Sequence, residues 1–383
     1  MKVLKISALS GVNVGDLAIS SCIEEVYKSS GMEIDSFDLR MREKKNFDVS
    51  TLLEKNEPKH SYNLVKRFPR LYNLLLRFQY SSKAKPRLLS IIKNYDCLMI
   101  GGGNLLFNNN GINFLESCYS CAKEFNKLGK PFSVISVGVG PFSCSHKKEL
   151  KYLVVNSKYF SVRDNASKNT LLNILGKEYS NRINILPDPV ILYPKLFDDK
   201  VNLCQSKKYF GVNVIDIIRS PQNIVGTQDL EILASNLIEI SEHYKLKISL
   251  LSTAYNNDPK TLDELLKILQ MKGYYDANII YIESNDIGCL SKKLSDFKFI
   301  LTYRMHLGIL GNSIGIPSLT FKWQSKVAGV SEQYLSNYQK FLVSSPNFSF
   351  DEVVDKLDYS LGERNYILDP EVLLEQYKNI DFS

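Results

Sequence analysis

Short apolar runs alternate with longer amphipathic stretches along most of this chain. Runs rich in Val, Ile, Leu and Phe are typical of strands buried on both faces, and apolar residues spaced three and four apart are typical of helices packed on one side. We predict strands at 3–7, 97–100, 133–137, 159–162, 183–186, 209–214, 247–251, 278–282, 299–301 and 318–321. We predict helices at 18–29, 114–128, 147–155, 166–175, 230–243, 261–270, 288–294 and 307–314.

This alternation predicts an α/β fold in which crossover helices join parallel strands. The Pro-Asp-Pro sequence at 187–189 is a turn signal, and a polar stretch follows it up to residue 208. A chain of 383 residues is also too long for one ordinary core. We therefore expect two Rossmann-like domains with a cleft between them, at 1–190 and 205–330, and a helical tail at 331–383 that packs back.

Composition narrows the class of protein without identifying it. The chain is 44% hydrophobic and 23% charged, which is ordinary for a globular protein. No apolar run approaches the ~20 residues of a membrane span, and the first residues predict a strand rather than a secretory signal. The seven cysteines are odd in number and scattered, which favours a cytoplasmic protein. Cys118 and Cys121 form a lone CxxC in a predicted helix, which fits buried thiols better than a metal or redox site.

The formal net charge of +7 is unevenly distributed. Residues 59–95 contain nine Lys or Arg and no acidic residue. Apolar residues of this segment share one face at helical spacing, and several basic residues lie on the other. Such a segment could lie on an anionic membrane surface, or it could be a core-facing helix with a solvated basic side. No nucleic-acid motif accompanies the charge, so nucleic acid is not a predicted partner.

The segment Leu-Thr-Tyr-Arg-Met-His at 301–306 carries the strongest chemical signal. It follows a predicted strand and precedes a predicted helix, so Arg304 and His306 lie where open α/β sheets bind their ligands. Arginine offers a planar fork to carboxylate or phosphate, and histidine transfers protons near neutral pH. The pair indicates chemistry on a small anionic substrate. The alternative is structural, with Arg304 paired to a carboxylate and His306 capping the helix.

Glycine-rich sequences follow three other predicted strands, at 10–16, 101–104 and 138–142. Glycine permits close approach of a ligand or of a neighbouring segment. In the first sequence Asp16 could be the N-cap of the following helix. The second lacks the lysine and hydroxyl of a P-loop, so ATP hydrolysis is not indicated.

A fourth strand end places Arg163 directly before Asp164. Asp164 is predicted to cap the following helix. Arg163 could be its structural partner, or it could face the cleft and hold the same anion as Arg304.

Together these motifs resemble the polysaccharide pyruvyl transferase family. The matching pieces follow one another between about residue 10 and residue 330: Asn13-x-Gly15-Asp16, Gly101-Gly102-Gly103-Asn104, Gly138-x-Gly140-Pro141, Val162-Arg163-Asp164, Asp188-Pro189, Arg304-x-His306, Gly315-Ile316-Pro317 and Lys326-Val327-x-Gly329. The resemblance implies a glycosyltransferase-B-like fold. It also implies transfer of pyruvate from phosphoenolpyruvate, as a cyclic ketal, onto a sugar of a surface polysaccharide or its lipid-linked precursor, with release of phosphate.

The resemblance further implies roles for individual residues. His306 is expected to be the general acid, Asp16 the base for the acceptor, and Arg163 and Arg304 the ligands of the donor's anionic groups. The other expected substrate contacts are the Met305 backbone, Asn13, Gly15, Gly102, Gly103, Asn104, Lys322 and Lys326. Trp323 would stack on a sugar ring or fill a gap. No metal or nicotinamide cofactor is implied.

The acceptor and two rival functions stay open at this level. A polyprenyl-diphosphate-linked acceptor would account for the basic segment, since the enzyme would then work at the inner face of the cell membrane. One rival is a nucleotide-sugar glycosyltransferase of the same fold, with its nucleotide near 256–259 or 283–286. The other is a non-catalytic protein that binds polysaccharide intermediates.

Overall fold

The computed structural model describes residues 1–9, 13–43, 78, 80–109, 112–142, 145–197, 207–215, 227–254, 258–323, 325–345, 348–362 and 368–382. Contacts divide the chain into two compact units. The first unit comprises Met1–Gly11, Ile19–Pro189 and Glu371–Ser383, and the second comprises Val12–Ala18 and Val190–Pro370. Each unit contains its own sheet.

The first unit contains a sheet of parallel strands with one short antiparallel addition. Its strands are β1 (Lys2–Ser7), β2 (Glu33–Asp38), β3 (Cys97–Asn109), β4 (Ile112–Asn113), β5 (Phe132–Phe142), β6 (Phe160–Val162) and β7 (Asn184–Ile185). The order is β2-β1-β3-β5-β6-β7, with β4 antiparallel to β3. Strand β2 was not predicted from the sequence, and β3 and β5 extend beyond their predicted ends.

The glycine-rich sequences after Ile100 and Val137 belong to strands, so the prediction that the strands end before these glycines was wrong. Strand β3 continues to pair with β5, with Gly103 opposite Val137, although the register shifts beyond that point. Gly102 has a φ of 72°, and a Cβ added there would clash with the side chain of Ile19. The second glycine is therefore required by the close approach of a helix, and cross-strand pairing overrides the local turn signal.

The helices of the first unit cover a sheet whose apolar side chains form a continuous buried core. They are α1 (Val14–Lys28, of which the first residues belong to the second unit), α2 (Lys85–Ile91), α3 (Phe114–Lys127), α4 (Lys147–Asn156) and α5 (Asn165–Leu175). Asp164 caps α5 as predicted, because its carboxylate accepts a hydrogen bond from the Ser167 backbone N–H at 2.7 Å. Short π or 3₁₀ turns lie at Tyr80–Ala84, Ile92–Asn94 and Lys177–Arg182.

The second unit contains a sheet of six parallel strands. They are β8 (Tyr209–Asn213), β9 (Lys247–Ser252), β10 (Asn278–Tyr281), β11 (Phe297–Thr302), β12 (Ser318–Phe321) and β13 (Leu342–Val343), in the order β10-β9-β8-β11-β12-β13. The direction of chain progression reverses between β8 and β11. A doubly wound sheet binds its ligands at the carboxyl ends of the strands beside such a reversal.

The helices of the second unit follow the predicted alternation. They are α6 (Tyr193–Leu196), α7 (Thr227–Tyr244), α8 (Pro259–Met271), α9 (Leu290–Leu294), α10 (Met305–Ser313), α11 (Ser325–Ser331) and α12 (Phe350–Gly362). Further 3₁₀ turns lie at Pro189–Leu192, Ser284–Gly288 and Tyr338–Phe341. The prediction of an α/β protein with two Rossmann-like domains is confirmed.

The C-terminal helix α13 (Pro370–Lys378) belongs to the first unit, although the residues before it belong to the second. Tyr377 is fully buried and its hydroxyl donates a hydrogen bond to the Pro187 carbonyl at 2.7 Å. The Phe382 ring packs edge-on against Tyr27, with 5.1 Å between ring centroids. These contacts make the end of the chain part of the first unit's core.

The basic segment at 59–95 lies for the most part outside the described residues. Its described portion includes Phe78, whose side chain is strongly exposed, and helix α2. The prediction of a membrane-binding amphipathic helix therefore stays a prediction. Among the described helices, none has the length and apolar character needed to cross a bilayer.

Candidate functional site

The junction between β11 and α10 lies at the reversal of the second sheet. Thr302, the last residue of β11, is paired in register with Asn213 of β8. Its hydroxyl accepts a hydrogen bond from the Arg304 backbone N–H at 2.9 Å, which folds the chain into a short turn. Helix α10 begins at Met305, two residues earlier than predicted. The backbone N–H groups of Met305 and His306 therefore fall in the first helical turn, where amide groups lack intrahelical partners and favour anions.

Arg304 is anchored by the carboxylate of Asp258, which was not among the predicted site residues. Its Nη2 donates to Asp258 Oδ1 at 2.6 Å, and Asp258 is fully buried. The Arg304 side chain is 21% exposed, whereas Asp258 is not exposed at all. Its Nε is buried and makes no hydrogen bond with the described residues. The signal for Asp258 was its place directly before Pro259 at the start of a helix, a common position for a capping aspartate.

The first turn of α1 lies directly against His306. An alanine Cβ built at Gly15 would be 2.7 Å from both Cβ and Nδ1 of His306. The turn is held in the second unit by a hydrogen bond from the Val14 N–H to the Thr253 carbonyl at 3.0 Å and by an isolated bridge between Asn13 and Ala254. Two motifs nearly three hundred residues apart in sequence thus form one site.

The N-cap of α1 is Asn13 and not Asp16. The Asn13 side chain accepts a hydrogen bond from the Gly15 N–H at 3.0 Å, so Asn13 is the N-cap of α1. The suggestion that Asp16 is the cap was wrong. Asp16 lies within the first turn of the helix and is half-buried.

Trp323 lies beside the Arg304 turn. Its indole N–H donates to the Tyr303 carbonyl at 2.7 Å. The Lys326 ammonium lies over the indole ring, 5.3 Å from its centroid, and Lys322 is exposed. The Tyr303 ring stacks on Phe321 at 4.3 Å, and burial raises the pKa of Tyr303 to about 12. Trp323 therefore supports the turn from which Arg304 projects.

Arg163 lies in the first unit and is 2% exposed. Its Nε donates to Asp164 at 3.4 Å, and its Nη1 is 3.8 Å from the Asp188 carboxylate. A buried guanidinium between two carboxylates has the arrangement of a structural ion pair. Of the two interpretations of Arg163, the structural partner of Asp164 is the one that these contacts favour.

Asn104 lies beside Arg163 in the first unit. A Cβ at Gly138 would be 2.6 Å from Asn104 Oδ1 and 2.9 Å from Arg163 Nη2, so both side chains pass over that glycine. The amide of Asn104 donates to the Gly140 carbonyl at 3.1 Å. The Asn104 amide therefore has a structural partner, and a contact with substrate stays a prediction, as it does for Gly102 and Gly103.

The remaining candidates have structural explanations. Cys118 and Cys121 are buried. Burial raises the pKa of Cys118 well above its usual range, and the neighbouring Cys121 thiol raises that pKa further. Within the described parts of the chain, His, Cys, Asp and Glu form no group of three that could hold a metal ion. Glu283 and Asp286, suggested for a nucleotide, form a capping box at a 3₁₀ turn.

Several solved structures share this fold. A UDP-GlcNAc 2-epimerase from Methanocaldococcus jannaschii superposes with a TM-score of 0.57 at 15% identity, over 97% of this chain and 95% of that one. The Neisseria meningitidis UDP-GlcNAc 2-epimerase bound to UDP-GlcNAc has a TM-score of 0.54 at 12% identity, over 100% and 95%. A glycosyltransferase from Rickettsia africae ESF-5 has a TM-score of 0.52 at 13% identity, over 99% and 93%. At this identity the likeness establishes the fold alone, which is glycosyltransferase-B-like as predicted.

The sequence itself identifies the family. The model of the polysaccharide pyruvyl transferase family matches residues 13–325, which span the motifs from Asn13-x-Gly15-Asp16 to Gly315-Ile316-Pro317. The protein belongs to the polysaccharide pyruvyl transferase family. No curated protein matches its sequence.

Proposed function

We propose that this protein transfers pyruvate from phosphoenolpyruvate onto two hydroxyls of a sugar, forming a cyclic ketal and releasing phosphate. The observation that carries the proposal is the joint placement of Arg304 and His306 at the reversal of the second sheet, with the first turn of α1 against His306. A cation and a proton-transfer group two residues apart at one strand-to-helix junction suit a donor that carries both a carboxylate and a phosphate.

The proposed reaction uses the His306 imidazole as a general acid. It donates a proton to the methylene carbon of phosphoenolpyruvate, which makes the adjacent carbon electrophilic. One sugar hydroxyl attacks that carbon, and a second replaces the phosphate and closes the ring. The two hydroxyl protons balance the equation, since one restores the acid and the other leaves with phosphate. Asp16, in the same unit as His306, is the proposed base for the acceptor.

The donor's charge is held, in this proposal, by the guanidinium of the partly exposed Arg304 side chain and by the backbone N–H groups at the start of α10, including that of Met305. Lys326 and Lys322 are proposed to add positive charge beside them. Arg163 is left out of the proposed donor contacts because its guanidinium is buried between Asp164 and Asp188.

Phosphate release from phosphoenolpyruvate tests the function directly. We would assay it with galactose, glucose, N-acetylmannosamine and lipid-linked sugars, with mass spectrometry of the products. A sugar that gains about 70 Da, the mass of pyruvate less one water, would identify the acceptor. Release of a nucleoside diphosphate from a nucleotide sugar, with phosphoenolpyruvate inert, would instead establish a glycosyltransferase. Binding without turnover of either donor would indicate a non-catalytic member.

Two substitutions separate binding from chemistry. His306→Ala should abolish phosphate release while donor binding is retained, and Arg304→Ala should weaken donor binding by about 1.5–3 kcal/mol, the usual value of a hydrogen bond to a charged group. His243→Ala, at an exposed histidine of α7, is the control for the first, and Arg182→Ala is the control for the second. Normal turnover by His306→Ala would refute its role as the acid.

The acceptor is proposed to be lipid-linked, such as a polyprenyl-diphosphate sugar, because the basic segment at 59–95 could then hold the enzyme at an anionic membrane face. Replacing Lys66, Arg70 and Arg77 by glutamine should reduce sedimentation of the protein with vesicles that contain anionic lipid. Vesicles of neutral lipid are the control. Unchanged binding to anionic vesicles would remove the basis for a membrane-bound acceptor.

A further inference from the structure

Asp258 links the ends of three strands in the second unit. Its Oδ2 accepts hydrogen bonds from the Thr253 N–H at 3.1 Å, from the Thr253 hydroxyl at 3.3 Å and from the Asn213 amide at 3.3 Å. Its Oδ1 accepts the bond from Arg304 at 2.6 Å. Thr253 follows β9, Asn213 ends β8, and Arg304 follows β11, so one carboxylate joins all three strands at their carboxyl ends.

The division of these bonds between the two oxygens determines where the carboxylate points. Three donors hold Oδ2, so the carboxylate plane cannot rotate freely and Oδ1 is directed at the guanidinium. A fully buried carboxylate also requires compensation for its lost hydration, and Arg304 supplies the only full positive charge among the described residues that bond to it. Arg304 therefore compensates the charge of the buried Asp258 carboxylate, and that carboxylate in turn orients the Arg304 guanidinium.

Arg304 is restrained at its backbone as well. Its N–H is bonded to Thr302, and the Thr302 hydroxyl lies 3.3 Å from Asn213 Oδ1. Asn213 therefore contacts both the residue that fixes the Arg304 backbone and the carboxylate that fixes its side chain. Such preorganisation reduces the ordering cost when a ligand binds.

We infer that Asp258 is a positioning residue that holds the Arg304 guanidinium in the orientation needed to bind the anionic donor. This inference rests on the proposed function, in which Arg304 contacts phosphoenolpyruvate. Asp258 touches no reacting atom, so its removal should affect donor affinity far more than the chemical step. Asp258→Asn preserves the size of the side chain but removes its negative charge. It also places an amide N–H₂, which cannot accept a hydrogen bond, opposite groups that are themselves donors.

The test measures affinity and turnover separately. Asp258→Asn should raise KM for phosphoenolpyruvate roughly 10- to 100-fold, the range expected for one charge-assisted contact, while kcat changes by less than about threefold. Binding of phosphoenolpyruvate and of inorganic phosphate would be followed in parallel by isothermal titration calorimetry, which requires no turnover. Asp38→Asn is the matched control, because Asp38 is also fully buried and is paired with Arg42 at 2.7 Å.

Chemical rescue adds a readout that a general loss of stability would not change. Guanidinium ion should restore donor binding to Arg304→Ala, because the Asp258 carboxylate can hold the free cation in the vacated position. It should not restore binding to the Asp258→Asn, Arg304→Ala double variant. The two substitutions should also be non-additive, with Asp258→Asn adding less than about twofold once Arg304 is absent.

Each outcome decides the question. Wild-type donor affinity in Asp258→Asn, or equal losses in Asp258→Asn and Asp38→Asn, would overturn the positioning role. Rescue of the double variant by guanidinium would do so too. A wild-type protein that binds phosphoenolpyruvate without turnover would contradict the proposed function but leave the affinity comparison valid. A wild-type protein that binds neither phosphoenolpyruvate nor phosphate would overturn both.

Discussion

Replacing Gly15 by alanine tests whether the first turn of α1 holds the His306 imidazole in place. The added Cβ would lie 2.7 Å from both Cβ and Nδ1 of His306, whereas ordinary contacts begin at 3.4 Å. The glycine has no left-handed backbone conformation, so alanine is compatible with its φ and ψ. The whole cost of the substitution therefore falls on the contact with His306.

The expected magnitude follows from this overlap. Either the imidazole or the turn must move by about 0.7 Å, the shortfall from ordinary contact distance. Because a displacement of ~1 Å costs about a hundredfold in rate, kcat should fall roughly 10- to 100-fold. Stability should change less, since overpacking costs ~1–3 kcal/mol and replacing glycine in a helix recovers ~1 kcal/mol.

The assay is phosphate release at saturating phosphoenolpyruvate, with KM for the donor and the thermal midpoint measured on the same preparation. Gly288→Ala is the control in the second unit, because a Cβ there meets no atom within 4 Å and the backbone is not left-handed. A kcat in Gly15→Ala equal to that of Gly288→Ala would refute the conclusion that α1 fixes the His306 imidazole in the position needed for its proposed role.

Three other predictions concern stability, binding and thiol chemistry. Tyr377→Phe should lower the free energy of unfolding by about 1 kcal/mol, measured by urea denaturation, because a buried hydrogen bond is lost, and phosphate release should be unaffected. Trp323 is the single tryptophan of the chain, so its emission should change on titration with phosphoenolpyruvate, and a silent titration would place the donor elsewhere. Among the described cysteines, Cys289 alone is exposed and should be alkylated first by iodoacetamide, whereas burial raises the pKa of Cys97 to about 12 and should protect that thiol until the protein unfolds.

Much of the secondary structure could be predicted from local patterns. The strand at 318–321 and the helix at 114–128 were placed within one residue of their observed bounds. Buried parallel strands are short apolar runs, and their crossover helices are amphipathic, so both signals lie within a few neighbouring residues. The prediction missed β2, because its sequence Glu-Ile-Asp-Ser-Phe-Asp has few apolar residues. It also ended β3 and β5 at glycines that in fact continue both strands.

The candidate site was predicted only in part. Arg304-x-His306 was recognisable because both residues lie at the end of one apolar strand. The sequence left the role of Arg163 open. In the structure its charge is compensated by the carboxylates of Asp164 and Asp188, between which it is buried. Burial depends on packing of the whole first unit, and no local pattern reports it.

The sequence by itself determined the alternation of strands and helices, the family motifs and the residue types able to bind an anion and transfer a proton. Only the tertiary structure decided which of these side chains meet. Asp258 reaches Arg304 across 46 residues, and Gly15 meets His306 from the opposite end of the matched region. The physical reason is that local patterns depend on neighbours within a turn or two, whereas a site at a sheet's carboxyl edge depends on strand order. Strand order is set by the packing of the whole sheet.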